Sequence, residues 1–177
     1  KKTVYSRQLK SLLATRELCV KNRVSITNHT RGILREYGIA IPSGRESFWQ
    51  NIESRLEQME CESIKGVLEK LIKEAKQLEN LEKESEKALL CLVSEDDRVT
   101  RLQTVPGVGF LSACVFVATI DDPTRFSDCK RVGSYLGLTP KESSSGDKKR
   151  FGSITKAGPE LCRRYLIHGS RALLRYP

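Results

Sequence analysis

The residues best suited to chemistry gather towards the C-terminus. In ESSSGDKKRFGSITKAG, residues 142–158, the serines Ser143, Ser144 and Ser145 precede Gly146 and then Lys148, Lys149 and Arg150. Lys156, Arg163 and Arg164 follow shortly after. A serine hydroxyl is a weak nucleophile. It needs an adjacent base, or cations that favour its alkoxide and stabilise the charge gathering on an attacked phosphate. Lys148, Arg150, Lys156, Arg163 and Arg164 are of the second kind. Serine in a Ser-Gly-rich basic loop is also ordinary polar turn chemistry, so composition by itself leaves two readings open: a nucleophile, or a loop that only contacts phosphate.

A second constellation is LQTVPGVGFLSACVF, residues 102–116. Leu102 and Val105 fit one helix and Ala113 and Phe116 the next, with the tight turn Pro106-Gly107-Val108-Gly109 between them. The pattern resembles the helix-hairpin-helix of DNA-binding proteins. Gly107 and Gly109 would let backbone N–H groups approach a phosphate beside the positive end of the second helix. Contacts of that kind hold nucleic acid without reading its sequence. The alternative is a glycine turn between two packed helices.

The whole chain leans the same way. Its 177 residues carry 31 Lys and Arg against 22 Asp and Glu, a formal +9, which suits a polyanionic partner. From Lys141 onward nine residues are basic and three acidic. Six cysteines stand at wide intervals with no C-x-x-C pair and only two histidines, so the pattern argues against zinc and for reduced, mostly buried thiols. No apolar run is long enough to span a bilayer and Lys1, Lys2 and Thr3 do not lead into a signal-peptide core, so the expectation is a soluble, cytoplasmic chain with no membrane partner.

Helices must position these groups. Residues 3–37 contain no proline and end at Gly38, with an approximate stripe through Leu9, Leu12, Val20, Val24, Ile33 and Leu34 whose centre is polar. A turn at 39–44 precedes a shorter helix over SFWQNIESRLEQM. Then Ile64, Leu68, Leu71, Ala75, Leu78, Glu82, Ser85, Leu89 and Leu92 follow alternating four- and three-residue steps, the seam of a coiled coil interrupted at Glu82 and Ser85. That seam suits an antiparallel hairpin with the first helix or a homo-oligomer. After Asp97 short helices alternate with loops: 98–119, a DDPTR turn, 127–136, a polar loop over 140–158 and a last helix from about Pro159 to Tyr176. No segment alternates convincingly as a strand. The expected fold is all-α, with a helical linker and coiled coil over 1–97 and a compact domain over 98–177.

In this order VPGVG, DDPTRF, YLGLTP, a serine-glycine pair, a basic stretch, ITKAG and RRYL resemble the C-terminal domain of the bridge-RNA-guided insertion-sequence transposases, insertion sequence family one hundred and ten. More loosely, Arg7, Leu12, Arg16, Arg23, Asn28, Leu34 and Gly38 resemble the helix that follows that family's RuvC-like nuclease domain. The resemblance implies DNA and a guide RNA as partners, and a serine that attacks a DNA phosphodiester just after GLTP and directly before glycine. Ser145 is the fifth residue after Pro140 and precedes Gly146, with Ser143 and Ser144 as competitors. It also implies Mg²⁺ held by four acidic residues in a RuvC-like domain, which would precede Lys1, so the chain reads as part of a longer recombinase. Pro159 departs from the polar residue more usual before the last helix, and suits a first helical turn. The competing function is a helix-hairpin-helix DNA-binding or repair accessory module without chemistry of its own.

Overall fold

The computed structural model describes residues 2–143 and 150–175. Helices dominate: α1 (Val4–Glu36), α2 (Arg45–Glu57), α3 (Glu62–Leu92), α4 (Asp97–Gln103), α5 (Phe110–Ile120), a 3₁₀ turn (Pro123–Arg125), α6 (Cys129–Tyr135) and α7 (Glu160–Arg175). The expected all-α class holds, with one addition. Pro140–Glu142 (β1) and Phe151–Ile154 (β2) pair antiparallel, with a register shift between Pro140 and Glu142. Strands of three and four exposed or half-buried residues bury no face, so they leave no alternation in the sequence.

The chain divides into two compact units, residues 14–88 and residues 1–13 with 89–177. The second unit takes in more than the 98–177 expected. Leu9 and Leu13 of α1, Leu89 near the end of α3 and Val93 just after it pack with Val99, Ala113, Cys114, Val117, Leu136 and Cys162. A continuous helix carries no mark where its packing partners change, so the boundary could not be placed from the pattern.

In residues 14–88, Leu34 of α1, Phe48, Ile52 and Leu56 of α2, and Leu68 and Ile72 of α3 form one apolar cluster. Of its α3 members Leu68 lies on the predicted seam and Ile72 stands one residue past seam position Leu71; the seam residues Ile64 and Leu71 pack partly buried against the same cluster, so the seam faces the core of its own chain. The two irregularities noted in the sequence answer each other. Glu82, in the middle of the α3 seam, is 4% exposed and meets Arg23 at 3.0 Å and Arg16 at 3.5 Å, both from the polar centre of α1. Arg16 also reaches Glu86 at 2.7 Å. Arg16 faces the later α3 residue and Arg23 the earlier, so the two helices run antiparallel. On its outer face α3 leaves Val67 and Leu81 exposed.

The other unit is knotted at Asp121, the residue after α5, whose φ of 66° is unusual for a residue with a Cβ. Its carboxylate accepts bonds from the Thr3 N–H at 2.8 Å, the Thr3 hydroxyl at 2.6 Å and the Ser6 hydroxyl at 2.5 Å. The Ser6 and Thr3 bonds hold its pKa down at about 2. Nearby, Asp96 caps α4 and forms a two-pronged pair with Arg98, which chiefly lowers its pKa to about 2. Cys19, Cys114 and Cys162 are buried thiols, Cys61 is half-buried, and Cys91 and Cys129 are exposed. Burial pushes Cys114 up to about 12 and Cys162 up to about 11, so neither is poised as a nucleophile.

Candidate nucleic-acid interface

Charge is divided unequally between the units. Residues 14–88 hold 13 Lys and Arg against 13 Asp and Glu, whereas residues 1–13 with 89–177 hold 18 against 9. The whole formal +9 therefore belongs to the unit that carries the serine segment.

Within it, α7 presents basic residues at helical spacing. Arg164, His168, Arg171 and Arg175 follow steps of four, three and four, which places them along one side. An open groove of about 520 Å³ is lined by Lys156, Glu160, Arg163, Arg164, Ile167, His168 and Arg171. Lys156, Arg163 and Arg164, all singled out from the sequence, meet here. His168 and Arg171 were not singled out, although the periodicity of Arg164, His168, Arg171 and Arg175 was visible in the chain. Arg164 also lies over the Tyr165 ring at 5.9 Å.

Arg163 differs from its neighbours. It is 7% exposed, and its Nη1 donates to the carbonyl of Leu136 at 3.0 Å and to that of Ala157 at 3.1 Å. Its guanidinium is thus engaged inside the fold, at the edge of the groove. The β1–β2 hairpin rises from this point. Thr155 N–H bonds the Thr139 carbonyl at 2.9 Å, Lys156 N–H bonds the Gly137 carbonyl at 3.1 Å, and at the far end Ser143 N–H bonds the Arg150 carbonyl at 2.9 Å. Two glycines make the base possible. A Cβ on Gly137 (φ +67°) would fall 2.0 Å from the Ala157 oxygen, and one on Gly158 (φ +81°) 2.2 Å from the Tyr135 oxygen.

Ser143 and Arg150 are exposed at the hairpin's outer end. Ser144, Ser145, Lys148 and Lys149 lie outside the described residues.

The glycine turn is a real connection between α4 and α5, which pack on each other. Gly107 and Gly109 play different parts in it. Gly107 has φ +80°, and a Cβ there would come 2.7 Å from the Gly169 oxygen and 3.0 Å from Leu173, so Gly107 is needed where the turn docks on α7. Gly109 precedes α5, and a Cβ on it would meet nothing within 4 Å. Of the two, Gly109 faces open space. Neither lines the α7 groove.

Residues 99–177 match the family described as Transposase IS116/IS110/IS902. This stretch is similar to that family's transposase domain and takes in somewhat less than half of the chain. The likeness to individual relatives runs further forward than the domain. The chain is 32% identical to the transposase for insertion sequence element IS1111A of Coxiella burnetii, over 99% of this chain and 49% of that protein. It is 26% identical to the transposase for insertion sequence element IS1328 of Yersinia enterocolitica, over 94% of this chain and 50% of that one. The chain thus spans about half the length of these curated relatives, and α1, α2 and α3 belong to the shared half.

Among the described residues no three His, Cys, Asp or Glu side chains come together as a metal site. The Mg²⁺ that the family resemblance implies has no ligand set among them. No helix among the described residues is long and apolar enough to cross a membrane.

Proposed function

We propose that this chain is the DNA-engaging part of an insertion-sequence recombinase, with Ser145 as the nucleophile for strand cleavage and exchange. The observation that carries the reading is the confinement of the +9 charge to the unit holding the transposase domain, where the basic α7 groove lies at the foot of the serine hairpin. Lys156, Arg164 and Arg171 offer charge-assisted contacts to phosphate oxygens, and His168 adds a further nitrogen on the same side. Gly109 at the start of α5 is a second place where backbone could approach a phosphate. The guide RNA is the other polyanion suited to these surfaces.

In the reaction, the Ser145 Oγ attacks a DNA phosphorus. A phosphoserine ester forms as one DNA oxygen leaves and takes a proton, while the serine proton passes to solvent or a nearby base. A hydroxyl of the new strand then attacks the same phosphorus, a new DNA ester forms, and serine is expelled with its proton restored. One ester replaces another at each step, so no high-energy cofactor is needed. Lys148, Lys149 and Arg150, which follow Ser145 closely in sequence, supply cations to stabilise the charge on phosphorus.

The test uses a recombination-competent protein carrying this chain. Ser145→Ala should abolish strand exchange and the covalent protein–DNA adduct while DNA binding stays within about twofold, and Ser143→Ala and Ser144→Ala should be much milder. Exchange at the parent rate by Ser145→Ala removes Ser145 as nucleophile and passes the role to Ser144.

A further inference from the structure

We infer that Arg163 is a positioning residue, whose buried guanidinium fixes the serine hairpin against α7 instead of binding phosphate. The inference rests on the reading of the serine segment as nucleophilic. Four observations carry it. First, Arg163 is 7% exposed, unlike Arg164 and Arg171 on the same helix. Second, one nitrogen bridges Leu136 and Ala157, the carbonyls on the segments that enter and leave the hairpin. Third, those segments already touch backbone to backbone, since Cβ atoms on Gly137 and Gly158 would overlap Ala157 and Tyr135. Fourth, among the described residues no carboxylate pairs with Arg163, so the carbonyls are the groups that offset its burial.

The physical consequence is directional. A cation buried against two carbonyls sets the distance between them and ties both to α7, because Arg163 is itself a residue of that helix. The next residue, Arg164, opens on the groove with His168 and Arg171. Holding the hairpin base to α7 therefore holds Ser143 and Arg150, the ends of the serine segment, in a fixed relation to the groove cations. Displacing a reacting group by about 1 Å costs on the order of 100-fold in rate. The effect of losing the clasp should fall on the chemical step and leave phosphate contacts in place.

Arg163→Met and Arg163→Lys, made in the recombination-competent protein beside Ser145→Ala, separate the possibilities. Arg163→Met should keep the helical circular-dichroism signal, bind DNA within about twofold with an unchanged salt slope, and lose about 100-fold in exchange rate at saturating DNA. Arg163→Lys, whose single ammonium can reach at least one carbonyl, should fall between it and the parent. Weakened binding with a salt slope reduced by about one would make Arg163 a phosphate contact and overturn the proposal. Parent exchange rates in Arg163→Met also overturn it. Should Arg163→Met not fold, Arg163→Lys decides alone, with slower exchange at unchanged affinity in favour and the parent rate against. A parent rate in Ser145→Ala sinks the serine reading separately, whatever Arg163 does.

Discussion

In residues 14–88 the buried arginine, Arg23, faces the carboxylate of Glu82, whereas in the other unit Arg163 faces carbonyls. The contrast extends to the whole of each unit. Residues 14–88 balance 13 basic against 13 acidic residues, while the remaining residues hold an excess of nine positive charges. In the first, charge is an internal device: Glu82, Arg16 and Arg23 fix which turn of α3 meets which turn of α1. In the second, charge is mostly turned outward, and the buried cation joins loops to a helix. A scaffold and the surface we propose for polyanion binding thus make opposite use of the same residue types.

The largest expected effect breaks the scaffold side. Glu82→Ala leaves Arg23 and Arg16 facing an emptied site, and removal of one partner from a buried ion pair typically costs about 3–5 kcal/mol. Chemical denaturation should show that loss. Replacing Glu82 and Arg23 together with Leu should recover much of it, because no unpaired carboxylate or Arg23 charge is then buried. A Glu82→Ala protein as stable as the parent would mean that the seam does not depend on its charges.

A glycine pair sharpens the comparison with one substitution of opposite sign. Gly137→Ala would force a left-handed residue and place its Cβ against the Ala157 oxygen, costing about 1–3 kcal/mol for the backbone conformation before the overlap is counted. Gly66→Ala, in the second turn of α3, meets nothing within 4 Å and should stabilise by about 0.5–1 kcal/mol. Thermal melts of the two variants shifting in the same direction would contradict the packing described at one of the sites.

The smallest effect concerns the groove. Lys156→Ala and Arg171→Ala should each weaken duplex binding evenly across sequences and lower the slope of log affinity against log salt by about one. Matching changes at Lys65 and Lys73, which line a cleft between α2 and α3 in the neutral unit, should leave the slope unaltered. Equal losses from both units would show that the charge division does not direct binding.

Much of the molecule was legible in the chain. Proline-free stretches ended by Gly38, and the four-three seam from Ile64, mark the long helices because helical periodicity is a local property. The ordered motifs from VPGVG to RRYL pointed to a transposase domain before any contact was known. The hairpin was not legible, since Pro140–Glu142 and Phe151–Ile154 bury no side. Nor was the division at 13–14 and 88–89, which falls inside two unbroken helices.

By itself, then, the sequence determined the helices, the total charge and the family motifs, all of which depend on residue type and short spacing. Tertiary structure decided what each charged or small residue is for. Glu82 looked like a defect in a seam until Arg23, 59 positions away, was found against it. Gly107 looked like a phosphate-binding glycine, and its position against Gly169 shows a packing need. Arg163 and Arg164 are adjacent and chemically identical, and both border the groove, yet a helix turns successive residues by about 100°, so one is buried in the fold and the other is exposed. A local code cannot state that difference, because burial depends on which distant segment arrives beside each face.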